Sequence, residues 1–174
     1  MKKYKKRIKI PITKYNPIYR NELGHYLKDE WTSISDIGTI YNGFEFTFDE
    51  YVKVENLYVK SIFLTLDYFK SKGVKITHIY KLASKKDFKK YKSIELFDTF
   101  SKIENDGELI TNRAIIEQLI RLRLREFIVQ LELTINSKKR TEILFGYDYY
   151  MYLKTNQEVE TLLKQINKLG LFTN

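Results

Sequence analysis

Ile143 to Lys154 is the stretch that most restricts the fold. Ile143, Phe145, Tyr147, Tyr149, Met151 and Leu153 fall on one side of an extended chain. Leu144, Gly146, Asp148, Tyr150, Tyr152 and Lys154 fall on the other. A period of two, rich in aromatic residues, belongs in a sheet, and the stretch is expected to form one long strand. The first set is apolar enough to cover a core. The second mixes rings, a carboxylate and an ammonium, an amphipathic face suited to a protein partner.

The other elements are read around that strand. Thr47-Phe-Asp-Glu50 has the form of a capping box and predicts a helix over Asp49–Lys72. Val54, Leu57, Tyr58, Ile62, Thr65, Leu66 and Phe69 recur at helical spacing, and Gly73 is placed to end the helix. Val74–Leu82 alternates directly afterwards, so the helix is expected to pack back across a sheet. Thr111–Arg125 reads as a second helix with Ile115, Ile116, Leu119 and Leu122 inward. A strand follows with Phe127, Val129, Leu131, Leu133 and Ile135 on one face. Asn136–Arg140 is a hairpin loop into the opening strand, and Thr155-Asn-Gln-Glu158 resembles a second capping box for a last helix stopped by Gly170.

Between these, residues 83–107 carry weaker signals. Ser84 and Asp87 can cap a short helix, Leu96, Phe97 and Phe100 can cover a core edge, and Asn105-Asp-Gly107 is a turn. Near the N-terminus, Lys5–Tyr15 alternates weakly, and Pro11 argues for a sheet edge. Trp31 lies in Glu30–Gly38, whose hydroxyls and Asp36 suit a loop with side chains bonded to nearby backbone. Tyr41-Asn-Gly43 signals a turn. The expected fold is therefore α+β, a single domain with a mainly antiparallel sheet and helices packed on it. Residues 21–174 form that domain, and residues 1–20 form a basic N-terminal arm or edge strand.

Charge and composition narrow the classes of function. Eight of the 31 basic residues lie in residues 1–20, where there is no acidic one, so the remainder is nearly balanced against 22 carboxylates. Such an arm can bind phosphates or an acidic surface, or it can simply be a solvated end. No cysteine is present, which removes disulfides, thiol nucleophiles and cysteine-ligated zinc. No apolar run approaches the ~18 residues that span a bilayer, and no signal-peptide core precedes the fold, so a cytoplasmic protein without membrane contact is expected.

Catalytic patterns are not legible. His25 and His78 belong to no metal or triad motif, and the glycines form no phosphate loop. Asp36, Asp49, Glu50 and Asp148 would make a carboxylate cluster only if the fold gathered them. Arg121 and Arg125 share a helical face, with Glu117 one turn before Arg121, which reads as an exposed paired face more readily than as a phosphate-binding one; Arg123 points elsewhere. No enzyme activity, cofactor or metal is expected.

Three stretches together carry a family likeness. Glu30-Trp-Thr-Ser-Ile-Ser-Asp-Ile-Gly38 runs into Phe48-Asp-Glu-Tyr-Val-Lys-Val-Glu55. Ile120-Arg-Leu-Arg-Leu-Arg-Glu126 precedes a strand, and Phe145-Gly-Tyr-Asp-Tyr-Tyr-Met-Tyr152 closes the sheet. Over roughly residues 29–153 the chain resembles the immunity proteins encoded beside bacterial polymorphic or contact-dependent growth inhibition toxins. The resemblance implies a non-catalytic toxin inhibitor whose partner is a cognate toxin domain. The expected partner-binding residues are Asp148, Tyr150 and Tyr152, with Asp36 or Trp31 nearby. A lone tryptophan is more often buried than presented, so Trp31 is expected to fill the core more readily than to anchor a partner. The alternative is a nucleic-acid-binding protein that uses the basic arm.

Overall fold

The Thr47 capping box forms and fixes the start of the longest helix. A computed structural model describes residues 6–104, 107–135 and 141–173. In it the Glu50 N–H donates to the Thr47 hydroxyl at 3.3 Å and the Thr47 N–H to Glu50 Oε2 at 2.9 Å. Helix α1 then runs Phe48–Tyr68. It stops short of Lys72 because Lys70, at φ 50°, makes the left-handed turn. Gly73 is needed for another reason. A Cβ there would lie 2.0 Å from the Ile110 carbonyl oxygen, where β5 (Leu109–Ile110) crosses beside β4 (Val74–Lys81).

Five further strands complete the main sheet: β1 (Ile8–Thr13), β6 (Ile128–Ile135), β7 (Thr141–Phe145), β8 (Tyr150–Thr155) and β9 (Phe172–Thr173). The order is β5-β4-β6-β7-β8-β1-β9, with every pairing antiparallel. The N-terminal strand is second from the edge. It pairs with β8 along its length, whereas β9 reaches only Ile12 and Thr13 and leaves the outer side of Pro11 without a partner strand. A separate hairpin, β2 (Ile40–Tyr41) and β3 (Phe44–Glu45), turns through Asn42 and Gly43, both at positive φ.

Helices α2 (Lys85–Lys90), α3 (Phe97–Lys102), α4 (Arg113–Leu124) and α5 (Glu160–Leu169) join α1. The chain is a single α+β domain with helices packed on a mainly antiparallel sheet. Register explains which face they cover. Ile10, Ile12, Ile143, Met151 and Leu153 share one face with the inward side chains of the helices. Lys9, Lys154 and Glu142 pair across the other, beside Pro11, Tyr152 and Leu144. No helix among the described residues is long and apolar enough to cross a membrane.

Four sequence expectations need correction. The stretch from Ile143 to Lys154 is a hairpin, not one strand, so Tyr147 leaves the core face and is 84% exposed. In β6 the register shifts opposite Tyr80 and Lys81, which turns Val129 outward and Ile128 inward. Thr155 caps no helix. It ends β8, where its hydroxyl pairs with Thr141 at 3.1 Å and accepts from the Gln157 N–H at 3.2 Å. Arg121 and Arg125 are not a solvated face, because both converge on Glu55, which is fully buried in α1. The turn at Asn105-Asp-Gly107 and the loop Asn136–Arg140 fall largely or wholly outside the described residues.

The weakly marked segment is ordered by aromatic packing. Asp87 accepts the Ser84 N–H at 2.7 Å and starts α2. That helix delivers Phe88 onto Phe127, ring centroids 4.0 Å apart, with Leu96 and Phe100 buried alongside.

Candidate functional site

The β7–β8 turn builds one wall of a surface pocket. Asp148 and Tyr149 both have positive φ, 50° and 59°, and the Tyr150 N–H closes the turn on the Tyr147 carbonyl at 2.9 Å. An aspartate tolerates this backbone, but a tyrosine there is strained by about 1–2 kcal/mol. Burial offsets the strain. The Tyr149 ring packs edge-on to Trp31 at 4.9 Å, and its hydroxyl donates to the Leu124 carbonyl at 3.0 Å. The buried Tyr58 hydroxyl donates to the Tyr149 carbonyl. Gly146 admits the turn because a Cβ would meet the Tyr152 ring at 3.0 Å.

Beneath the turn lies a pocket of about 340 Å³. Its mouth is formed by Leu82, Val129 and Tyr147, which are 70%, 37% and 84% exposed, with the carboxylates of Glu126 and Asp148 beside them. Phe145 forms a wall, and Arg123 lies at the base. Arg123 is only 9% exposed. Its Nη2 donates to the Gly146 carbonyl at 2.6 Å, its guanidinium carbon sits 5.9 Å from the Phe145 ring centre, and its Nε is sealed without an acceptor. It forms no ion pair among the described residues. Burial away from water lowers its pKa from the ordinary arginine value.

Comparison with protein-family models, curated proteins and solved structures finds no match. The site therefore has to be interpreted from its own geometry.

The structure brings some of the sequence-selected residues together and separates others. Asp148 is exposed at the hairpin tip, and both it and Tyr150 line the pocket. Tyr150 and Tyr152 are half-buried on the sheet face away from the helices, their rings 6.3 Å apart. The Tyr150 hydroxyl receives a hydrogen bond from Arg20, and Lys9 Nζ stands 3.8 Å over the Tyr152 ring. Trp31 is buried, stacked on Phe46 at 4.5 Å. Asp36 holds its own loop, accepting the Thr32 and Ser33 N–H groups at 2.7 and 3.1 Å. His25 and His78 are both exposed. Among the described residues no group of three or more His, Cys, Asp or Glu is placed to hold a metal ion.

Arg123, Tyr147, Leu82 and Val129 were not selected from the sequence as partner residues. Arg123 carried a signal, since it stands off the face shared by Arg121 and Arg125. The other three depend on a hairpin and a bulge that spacing does not reveal.

Lys14 gives the loop above the sheet a measurable electrostatic signature. Its Nζ lies 3.3 Å from Glu30 Oε2 and 4.2 Å from the centres of the Tyr15 and Trp31 rings. Burial lowers its pKa from 10.5 to about 8, against the opposing pull of Glu30. Below pH 8 the folded and unfolded chains are both protonated there, and the fold bears the whole cost of the buried cation. As pH rises from about 8 the folded form loses its proton first, so stability increases. Tyr15 and Tyr26, whose pKa values burial raises, reverse the trend above about pH 10, because the unfolded chain ionises there first. The unfolding free energy from urea titrations is expected to climb between about pH 8 and 10 by on the order of 2 kcal/mol, and Lys14→Met to flatten that climb. An unaltered climb in the variant would assign the titration to another group.

Proposed function

We propose that this protein is an immunity protein, binding and neutralising a cognate bacterial toxin domain through protein–protein contact. The observation that carries the reading is the pocket mouth, where Leu82, Val129 and Tyr147 are exposed together around one concavity. Isolated apolar side chains on a surface need no explanation, but several around one pocket mark a place where a partner excludes water. The mouth stands on a sheet held at the other end of Tyr149 by three buried aromatic contacts, with Trp31, Tyr51 and Tyr58, and by the Leu124 carbonyl. A rigid support of this kind limits the ordering cost of association. The stretches that resemble immunity proteins also meet here: Trp31, Tyr51, Leu124 and Tyr149 each come from one of them.

The basic arm supports a nucleic-acid role less well. Arg7 pairs with Glu142 at 3.0 Å, Lys14 is buried against Glu30, and Arg20 is held by the Gly24 carbonyl at 2.7 Å and by Tyr150. Cations engaged in this way release fewer counterions on meeting a phosphate backbone.

Co-expression with the C-terminal domain encoded by the adjacent toxin gene tests the proposal. A one-to-one complex and restored growth are expected, with Tyr147→Ala weakening the complex by roughly tenfold or more while leaving the melting temperature unchanged. No complex and no protection would exclude the immunity reading.

A further inference from the structure

The base of the pocket indicates what the partner presents. Arg123 is a fixed cation, held in place by the Gly146 carbonyl; Glu126 acts on it electrostatically, but among the described residues no carboxylate forms an ion pair with it. Its Nη1 donates to no protein acceptor among the described residues. A buried guanidinium with no anion in direct contact is incompletely compensated, which a ligand oxygen would relieve. We propose that Arg123 is the seat for a single carboxylate side chain, aspartate or glutamate, presented by the toxin domain. The proposal rests on the immunity reading for its source of carboxylate, but not for the seat itself.

The surroundings select among anions. Phe145, Leu82 and Val129 offer apolar walls for the methylene stem of an acidic side chain. Glu126 and Asp148 stand at the mouth, so a dianionic phosphate meets two carboxylates for one cation. One planar carboxylate matches the guanidinium in charge and shape, and the two acids at the mouth then favour a basic residue flanking it in the partner.

The test uses the isotopically labelled full chain and small probes. The Arg123 Nε–H, sealed from solvent, is a suitable reporter and is assigned by its loss in Arg123→Lys. N-acetylglycine is titrated in, with N-acetylglycinamide and methyl phosphate as controls at equal ionic strength. A saturable shift of the Arg123 signal with the carboxylate alone is expected. No shift, an equal shift with the amide, or a larger one with methyl phosphate overturns the seat. Asp148→Asn keeps a residue that tolerates positive φ and removes one repelling charge, so it should tighten N-acetylglycine by roughly two- to fivefold. An unchanged midpoint also overturns the placement.

The two readings fail separately. Growth protection without the titration refutes the carboxylate seat and leaves immunity standing. The titration without growth protection refutes the toxin as its source and leaves the seat standing.

Discussion

Glu55→Gln is expected to destabilise the fold by about 3–5 kcal/mol, read as a lower urea midpoint at unchanged slope. Glu55 is fully buried, and its carboxylate accepts from Arg125 Nε at 2.7 Å and Nη2 at 2.9 Å, and from Arg121 Nη1. Glutamine keeps the volume but leaves two guanidinium groups facing a neutral amide. Arg121 retains Glu117, 2.7 Å from Nη2, and Asn56 at 2.8 Å. Arg125 is worse placed, because it is 5% exposed and keeps only Ser93 at 2.8 Å and the outlying Glu95 at 3.4 Å among the described residues. Glu117→Gln, on the exposed side of the same network, should cost about 1 kcal/mol or less. Equal losses for the two substitutions would show that Glu55 is hydrated and that burial does not set its importance.

Phe88→Ala is expected to cost about 3–5 kcal/mol. The ring is fully buried and stacked on Phe127, with Phe100 and Phe97 edge-on at 5.0 and 5.3 Å. It is the buried side chain of α2 and packs on the residue just before β6, so truncation removes a ring from the centre of the cluster. The loss should be global, with one cooperative transition. A change below about 1 kcal/mol with rapid hydrogen exchange over Lys85–Lys102 would instead mark this segment as a unit that opens independently.

Local signals were the legible part of this sequence. The Thr47 and Glu50 side chains satisfy each other's backbone groups within one turn, so their pattern determines the start of α1 whatever packs on it. Asn42 and Gly43 are similar, because positive φ is intrinsic to those residue types. The β7–β8 turn hid itself. Asp148 and Tyr149 adopt the same backbone without glycine, under compulsion from the Trp31 and Tyr58 contacts, and the surrounding alternation continues through them as if the strand were unbroken. That one miss moved Tyr147 from the pocket mouth to the core.

Glu55 was hidden for a different reason. An acid within an apolar helical stripe reads as an intrusion unless its cations are known, and those lie on α4, far along the chain. The arginine spacing put Arg121 and Arg125 on one face but read that face as solvated, and their common anion could be found only from tertiary structure. At the proposed site, the aromatic character of Tyr150 and Tyr152 was readable. The position of Arg123 under the β7–β8 turn was not, because it depends on the Gly146 carbonyl, which only the hairpin directs toward it.

The N-terminal strand has a consequence for how the molecule is made. Within this sheet β1 comes before every other strand in the chain, yet its neighbours are β8 and β9, the sheet's last two. During synthesis its Ile10 and Ile12 must wait, unpaired, until Met151 and Leu153 have been added. The sheet is thus closed by a contact of very high sequence separation, a slow step that exposes an adhesive edge in every unfinished chain. Domain assembly therefore cannot be completed locally, and the time that β1 and β8 need to find each other sets a delay between synthesis of this sheet and its closure.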